Sequence, residues 1–230
     1  YFEEINKKGG IFGRRIDLLA VPFGESAQAS LGNLQQALAE EGAFAVVGAY
    51  TIGIDEALLD MLRTDHVPLV GPFTLDPGDA FFDAAAFYIY AGFDEQARAL
   101  ADQAVMQGAN PDKIVVASPE GARFDDTVRA VRDQVRTKSG AGRADEARYA
   151  SGEFEAAAFA ERVAGYEALV FLGPQSDLEP LLAALDSIGS NPRVYLLSSL
   201  LSQPLFNAPT AFDNRIQVAY PTLSSDITPS

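Results

Sequence analysis

Short apolar runs alternate along this chain with longer segments in which apolar residues recur every three to four positions. A short run that is apolar throughout is typical of a strand buried on both faces, as in a parallel sheet. The longer segments have the periodicity of one helix face. The pattern therefore predicts a doubly wound α/β protein with parallel sheets. The predicted strands are 16–21, 44–47, 67–70, 87–90, 114–117, 147–150, 168–172, 194–197 and 216–219.

Helices are predicted between these strands from apolar residues that lie on one face. The helix that follows Gly92 is expected to begin with Asp94 as its N-cap and to end at Gly108. The predicted helices centre on 1–8, 31–38, 54–62, 97–105, 124–135, 154–164 and 178–188.

The alternation of strand and helix restarts near Gly92, which divides the chain into two units. We predict a first lobe over 1–91 and a second lobe over 92–217. The chain has 230 residues, 48% of them hydrophobic, which is enough for one large domain or two small ones.

Loops that leave the carboxyl ends of the predicted strands are the expected binding site. In an open parallel sheet, ligands bind in the crevice outside these ends. The loops at 50–53 and 73–75 belong to the first unit, and those at 118–124, 173–176 and 198–199 to the second. They offer hydroxyls, amides, aromatic rings and one arginine, which is the usual content of a small-molecule pocket. Each Ser or Thr taken singly is as easily explained as a helix cap.

Composition limits the possible partners. The formal net charge is −15, which argues against nucleic acid, because phosphate neutralisation needs clustered Lys and Arg. Cysteine is absent, so disulfides and thiolate chemistry are excluded. A chain without cysteine suits an oxidising exported compartment, although many cytosolic proteins also lack it. No run reaches the roughly 18–20 apolar residues of a membrane helix.

Catalytic patterns are missing from the sequence. His66 is the only histidine, and without cysteine it cannot form the usual zinc sets, so a surface or capping role is expected. Neither a Gly-x-Ser-x-Gly elbow nor a phosphate-binding loop occurs. Carboxylate pairs such as Asp125 and Asp126 are sequential on predicted helices and do not face one another. We therefore expect no enzyme, metal or cofactor, and a doubly wound α/β enzyme is the less favoured alternative.

The opening residues YFEEINKKGGIFGRRI resemble the corresponding segment of type I periplasmic binding proteins. These are the receptors of ABC importers for branched-chain amino acids, the leucine/isoleucine/valine-binding class. The resemblance continues through 46–48, 67–74 and 113–116. It implies two Rossmann-like lobes that close on a ligand like a hinged clamp. It also implies chain crossings near 90–93 and 218–221, residues after about 218 returning to the first lobe, and truncation at both ends.

The resemblance also implies which residues contact the ligand. Contacts to an α-carboxylate fall on the loops of the first lobe, and side-chain contacts fall on the second. The family's acidic partner for an ammonium falls near Ser199, which has no carboxylate, and a buried ammonium without one costs several kcal/mol. Arg123 instead suits a carboxylate. The expected ligand-binding residues are Thr51, Ile52, Gly53, Phe73, Thr74, Leu75, Arg123, Phe124, Gln175 and Ser199.

The sequence and the resemblance together predict an extracytoplasmic ligand-binding protein. It would capture a small polar or anionic organic molecule, an amino acid or carboxylic acid, between two lobes and present it to the membrane permease of an ABC importer. An organic acid is favoured, and the two phenylalanines of the site suit an aromatic one. The protein would be periplasmic or extracellular, exported or lipid-anchored. The alternative is a ligand-sensing domain of a receptor or fusion protein with the same fold.

Overall fold

The computed structural model describes residues 1–74, 85–150, 152–202 and 207–222. Strands and helices alternate through most of this part of the chain. The helices are α1 Phe2–Lys7, α2 Ala27–Glu41, α3 Asp55–Asp65, α4 Phe93–Met106, α5 Asp125–Ser139, α6 Ala156–Val163 and α7 Gln175–Ser187. The strands are β1 Val46–Val47, β2 Leu69–Val70, β3 Ala86–Phe87, β4 Ile114–Pro119, β5 Asp145–Tyr149, β6 Ala168–Phe171, β7 Arg193–Leu197 and β8 Ile216–Ala219.

These strands form two parallel sheets. The first has the order β1-β2-β3, and the second has the order β5-β4-β6-β7-β8. Every pairing is parallel, so the carboxyl ends of neighbouring strands lie at the same edge of each sheet. The prediction of an α/β fold with parallel sheets is confirmed.

The central strands of the second sheet, β4, β6 and β7, are buried on both faces. In β4, Ile114 and Val116 pack with α4 and α5 on one face. Val115 and Ala117 pack with α6 and α7 on the other face. Helices on both faces explain why β4, β6 and β7 are apolar without alternation.

The first sheet is covered mainly on one face. Leu58, Leu59 and Leu62 of α3 pack against buried strand residues such as Leu69. On the opposite face, Val47 is 60% exposed and Phe87 is 57% exposed. The expectation that these strands are buried on both faces is therefore wrong for β1 and β3, because the described helices contact only one side of them.

Some predicted local features differ from the structure. Residues 16–21 form no strand, because no described strand pairs with them, although the Asn6 side chain bonds both the N–H and the C=O of Ile16 at 2.8 and 2.7 Å. Asp94 is not the N-cap of α4. That position belongs to Gly92, and Asp94 accepts a hydrogen bond from Thr127 Oγ1 at 2.7 Å. The surface or capping role expected for His66 is confirmed, since it is exposed and is the C-cap of α3 in the left-handed conformation.

The two segments predicted to cross between the lobes contact each other. The N–H of Ala91 donates to the C=O of Pro221 at 2.9 Å. Strand β8 ends two residues before Pro221 and pairs with β7 in the second sheet. The lobe boundaries themselves remain a prediction.

Candidate functional site

Two loops lie side by side at the carboxyl edge of the first sheet. Tyr50 and Phe73 form a parallel bridge beyond the ends of β1 and β2. The Thr51 N–H donates to the C=O of Phe73 at 3.0 Å, and the Phe73 N–H donates to the C=O of Ala49 at 2.8 Å. Strand pairing therefore continues into the loops and fixes their register.

A carboxylate lies between these loops. Asp55, the first residue of α3, accepts a hydrogen bond from Thr51 Oγ1 at 2.6 Å and another from the Thr74 side chain. Both threonines are buried and Asp55 is half-buried. Burial raises the pKa of Asp55 above its ordinary value, and the two hydroxyl donors only partly oppose this effect. Both predicted hydroxyl ligands of this loop pair thus already have an internal acceptor.

Aromatic side chains flank the same loops. The Phe73 ring, 47% exposed, stacks on Tyr90 with the centroids 5.0 Å apart and an interplanar angle of 29°. Tyr50 meets Phe23 edge-to-face at 5.2 Å. Ile52 and Gly53 are exposed on the first loop. The loops therefore present accessible apolar surface beside the half-buried carboxylate.

Arg123 and Phe124 follow β4 at the carboxyl edge of the second sheet. The Arg123 guanidinium lies over the Phe124 ring at 5.1 Å and over the Phe93 ring at 5.9 Å. Both rings are buried, whereas Arg123 is exposed. Within the part of the chain that the structure describes, Arg123 makes no ion pair. The ring faces attract the guanidinium, and the side chain stays exposed to solvent.

Gln175 and Ser199 follow neighbouring strands of the second sheet, Gln175 as the first residue of α7 and Ser199 in the turn after β7. Gln175 is buried, its Nε2 donates to Glu179 Oε1 at 2.8 Å, and its Oε1 accepts from the N–H and hydroxyl of Ser202 at 2.9 and 3.0 Å. Ser199 is half-buried in a single 3₁₀ turn after β7. The amide of Gln175 thus connects α7 to the loop that carries Ser199.

A buried hydroxyl also lies near the carboxyl end of β4. Ser118 is 0% exposed, and its Oγ has no hydrogen-bond partner among the described residues. Gln96 of α4 is buried too, and its Nε2 donates to the C=O of Ala91 at 2.8 Å. The described residues contain no cluster of His, Asp or Glu suited to a metal ion. None of the described helices is long and apolar enough to cross a lipid bilayer.

The predicted site residues thus fall into two sets. Thr51, Ile52, Gly53, Phe73 and Thr74 share the edge of the first sheet, and Leu75 lies outside the described residues. The second sheet carries Arg123, Phe124, Gln175 and Ser199. None of the hydrogen bonds and ring contacts given above joins a residue of one set to a residue of the other.

Sequence reasoning missed three residues of this region, namely Asp55, Tyr90 and Phe93. An acidic residue four positions after Thr51, at the start of a predicted helix, was the available signal for Asp55. Tyr90 and Phe93 lie in the crossing expected near 90–93, but the sequence did not indicate their ring contacts with Phe73 and Arg123, because these are made with other elements.

The fold is that of a doubly wound α/β protein, with polar and aromatic loops at the carboxyl edges of two parallel sheets. A family model described as periplasmic binding protein matches residues 1–224. The chain belongs to the periplasmic binding protein family, and the predicted resemblance is confirmed. No curated protein matches the sequence at a significant level.

Solved structures share the fold. A Rhodospirillum rubrum protein described as a branched-chain amino acid ABC transporter matches with a TM-score of 0.69 and 16% identity, over 94% of this chain and 62% of that one. An ABC transporter substrate-binding protein from Desulfitobacterium hafniense in complex with Leu gives 0.66 and 18%, over 85% of this chain and 59% of that one. The leucine-binding protein LivK from Thermotoga maritima gives 0.57 and 14%, over 91% and 58%. This chain therefore spans about 60% of the length of these relatives.

Proposed function

We propose that this protein captures a small polar organic molecule, an amino acid or carboxylic acid, between the strand-end loops of its two sheets. It delivers this solute to the permease of an ABC importer and acts in the periplasm or outside the cell. Membership of the periplasmic binding protein family supports this role. So do structural relatives that are described as ABC transporter proteins, one of them in complex with Leu.

The observation that carries the proposal is the placement of Arg123. Its guanidinium is exposed at the carboxyl edge of the second sheet and is held over two buried rings. Guanidinium binds a carboxylate through two parallel hydrogen bonds, so this position suits an acid group of the solute. Phe124, Gln175 and Ser199 surround the site in the proposal, while the exposed Phe73 ring offers apolar contact from the first sheet.

Binding followed by closure is the proposed mechanism, without a chemical step. A solute that contacts the loops of both sheets favours the closed arrangement by its differential affinity for it. The second candidate is a ligand-sensing domain with the same fold in a receptor or fusion protein. Its solute site would be the same, and only the partner that responds to closure would differ.

A thermal-shift screen tests the proposal. Amino acids, aromatic acids and dicarboxylates are added singly, and a ligand at 100 times its dissociation constant stabilises the folded state by roughly 2.7 kcal/mol. Arg123→Ala should then weaken binding of the identified acid about tenfold or more, as loss of a charge-assisted contact does. Arg98→Ala, which removes an exposed arginine from α4, is the matched control and should bind normally. Equal affinities of the two variants would contradict the role of Arg123.

A further inference from the structure

The loops of the first sheet contain an acidic group where the family resemblance places the ligand's own carboxylate. Thr51 and Thr74 are buried, and both donate hydrogen bonds to the Asp55 carboxylate. A ligand carboxylate at this position would compete for the same two hydroxyls. It would also lie beside a like charge in a partly desolvated setting, where such repulsion is strong.

The hydrogen-bond donors to Asp55 in the described part of the chain are neutral groups. Within the described residues, neither Lys, Arg nor His forms an ion pair with it. Burial raises its pKa, whereas a nearby cation would lower it. The half-buried carboxylate is thus poised to gain from a positive charge supplied from outside the chain.

The surroundings of these loops also suit a cation. Tyr50 and Phe73 are bridge partners on the same two loops, and both rings are about half exposed. The faces of aromatic rings attract ammonium groups. The second sheet carries a charge of the opposite sign to Asp55. Arg123 is exposed there, and its positive guanidinium lies over two rings.

We propose that Asp55 determines the orientation of the bound ligand. The ligand presents an amine to Asp55 at the first sheet and any carboxylate to Arg123 at the second. This deepens the proposed function and rests on it. The loop at Ser199 has no carboxylate to pair with a ligand ammonium. The proposal gives that role to Asp55, on the opposite lobe. A simple carboxylic acid is then a poor ligand.

The test uses matched pairs of compounds that differ only in the amine. L-leucine is compared with 4-methylpentanoate, and L-phenylalanine with 3-phenylpropionate, by isothermal titration calorimetry at pH 7.5 on the whole chain. The wild type should prefer the amine-bearing member of the pair that binds by about tenfold or more, the scale of a close charge pair. Asp55→Asn retains the size of the side chain and one oxygen acceptor, and it should abolish most of that preference.

Glu56→Gln is the control, since it removes one negative charge from the same first turn of α3 at an exposed position. It should leave the preference unchanged. If Asp55 only ties the two loops together, Asp55→Asn changes stability but not the ratio of affinities within a pair. An unchanged ratio in Asp55→Asn therefore overturns the proposal.

If Asp55→Asn does not fold, the affinities of the wild type for the two members of each pair still test the proposal. A wild type that binds 4-methylpentanoate or 3-phenylpropionate as tightly as the matching amino acid overturns the role of Asp55, while the proposed solute-binding function stands. Failure of all four compounds and of the wider acid and amino acid screen overturns both.

Discussion

Gly173 lies between β6 and α7 at the edge of the candidate site, and its replacement by alanine should strongly destabilise the fold. A Cβ atom added there would lie 2.6 Å from Phe171 Cζ and closer still to Tyr149 Oη. Neither ring is free to withdraw. Both are buried, the Tyr149 hydroxyl donates to Asp177 Oδ2 at 3.1 Å, and Phe154 packs on the Tyr149 ring at 4.6 Å.

The magnitude follows from these two contacts. Extra volume in a well-packed core costs about 1–3 kcal/mol. Displacing the Tyr149 hydroxyl from the Asp177 carboxylate removes a hydrogen bond to a charged group, which is worth about 1.5–3 kcal/mol. Burial and Asp177 raise the pKa of Tyr149, so the phenol remains the donor at any ordinary pH. We expect Gly173→Ala to lower the free energy of unfolding by roughly 2.5–6 kcal/mol at neutral pH.

Urea denaturation followed by far-UV circular dichroism measures this change. Gly32→Ala is the control, because Gly32 lies in α2 and a Cβ there meets nothing within 4 Å. The same substitution should raise stability there by about 0.5–1 kcal/mol, since glycine is costly inside a helix. If Gly173→Ala lowers the free energy of unfolding and Gly32→Ala raises it, the loss at Gly173 comes from steric contacts and not from the glycine-to-alanine change itself.

A double-mutant cycle supplies the refutation. Tyr149→Phe removes the hydroxyl that the new methyl group meets first, so Gly173→Ala should cost less in that background than in the wild type. If the cost is the same in both backgrounds, the Tyr149 contact is not its source. A cost below about 0.5 kcal/mol in the wild type, within the range of surface substitutions, would refute the packing argument altogether.

Three further predictions concern buried polar groups. Ser118→Ala should raise the free energy of unfolding in urea by about 1 kcal/mol, because its hydroxyl is buried without a partner among the described residues; a loss would show that the hydroxyl is bonded. The raised pKa of Asp55 means that its stabilising contribution is full below the ordinary aspartate pKa of about 3.9 and is lost as pH rises through the folded-state value. The wild type should thus lose stability relative to Asp55→Asn as pH rises from 3 to 7, and parallel urea-derived curves would contradict this. Gln175→Ala should lower the free energy of unfolding by about 1–3 kcal/mol, because Ser202 and Glu179 lose their hydrogen-bond partner. Hydrogen exchange of the Ser202 amide should become faster, and an unchanged exchange rate would contradict the hydrogen bond from Ser202 to Gln175.

Hydrophobic patterning located the second sheet to within a few residues. Strand β8 matches the predicted 216–219, and β6 and β7 differ from their predictions by one residue each. The runs of β6 and β7 are apolar because helices cover both faces of these strands, and this requirement is visible in the sequence of each strand. The run at 16–21 is also apolar except for Asp17 but forms no strand, since a strand exists only with a partner and the sequence of the run does not specify one.

The chemistry of the site could be predicted only in part, because the sequence of a loop does not specify which residues contact it. The sequence alone determined that hydroxyls, rings and one arginine follow the strand ends, because the ends of apolar runs mark where loops begin. It did not determine what those groups contact. Thr51 and Thr74 are 23 positions apart, and only the parallel pairing of their loops brings both to Asp55. The carboxylate that takes up both hydroxyls was therefore decided by tertiary structure, because no spacing along the chain encodes a contact made across a sheet.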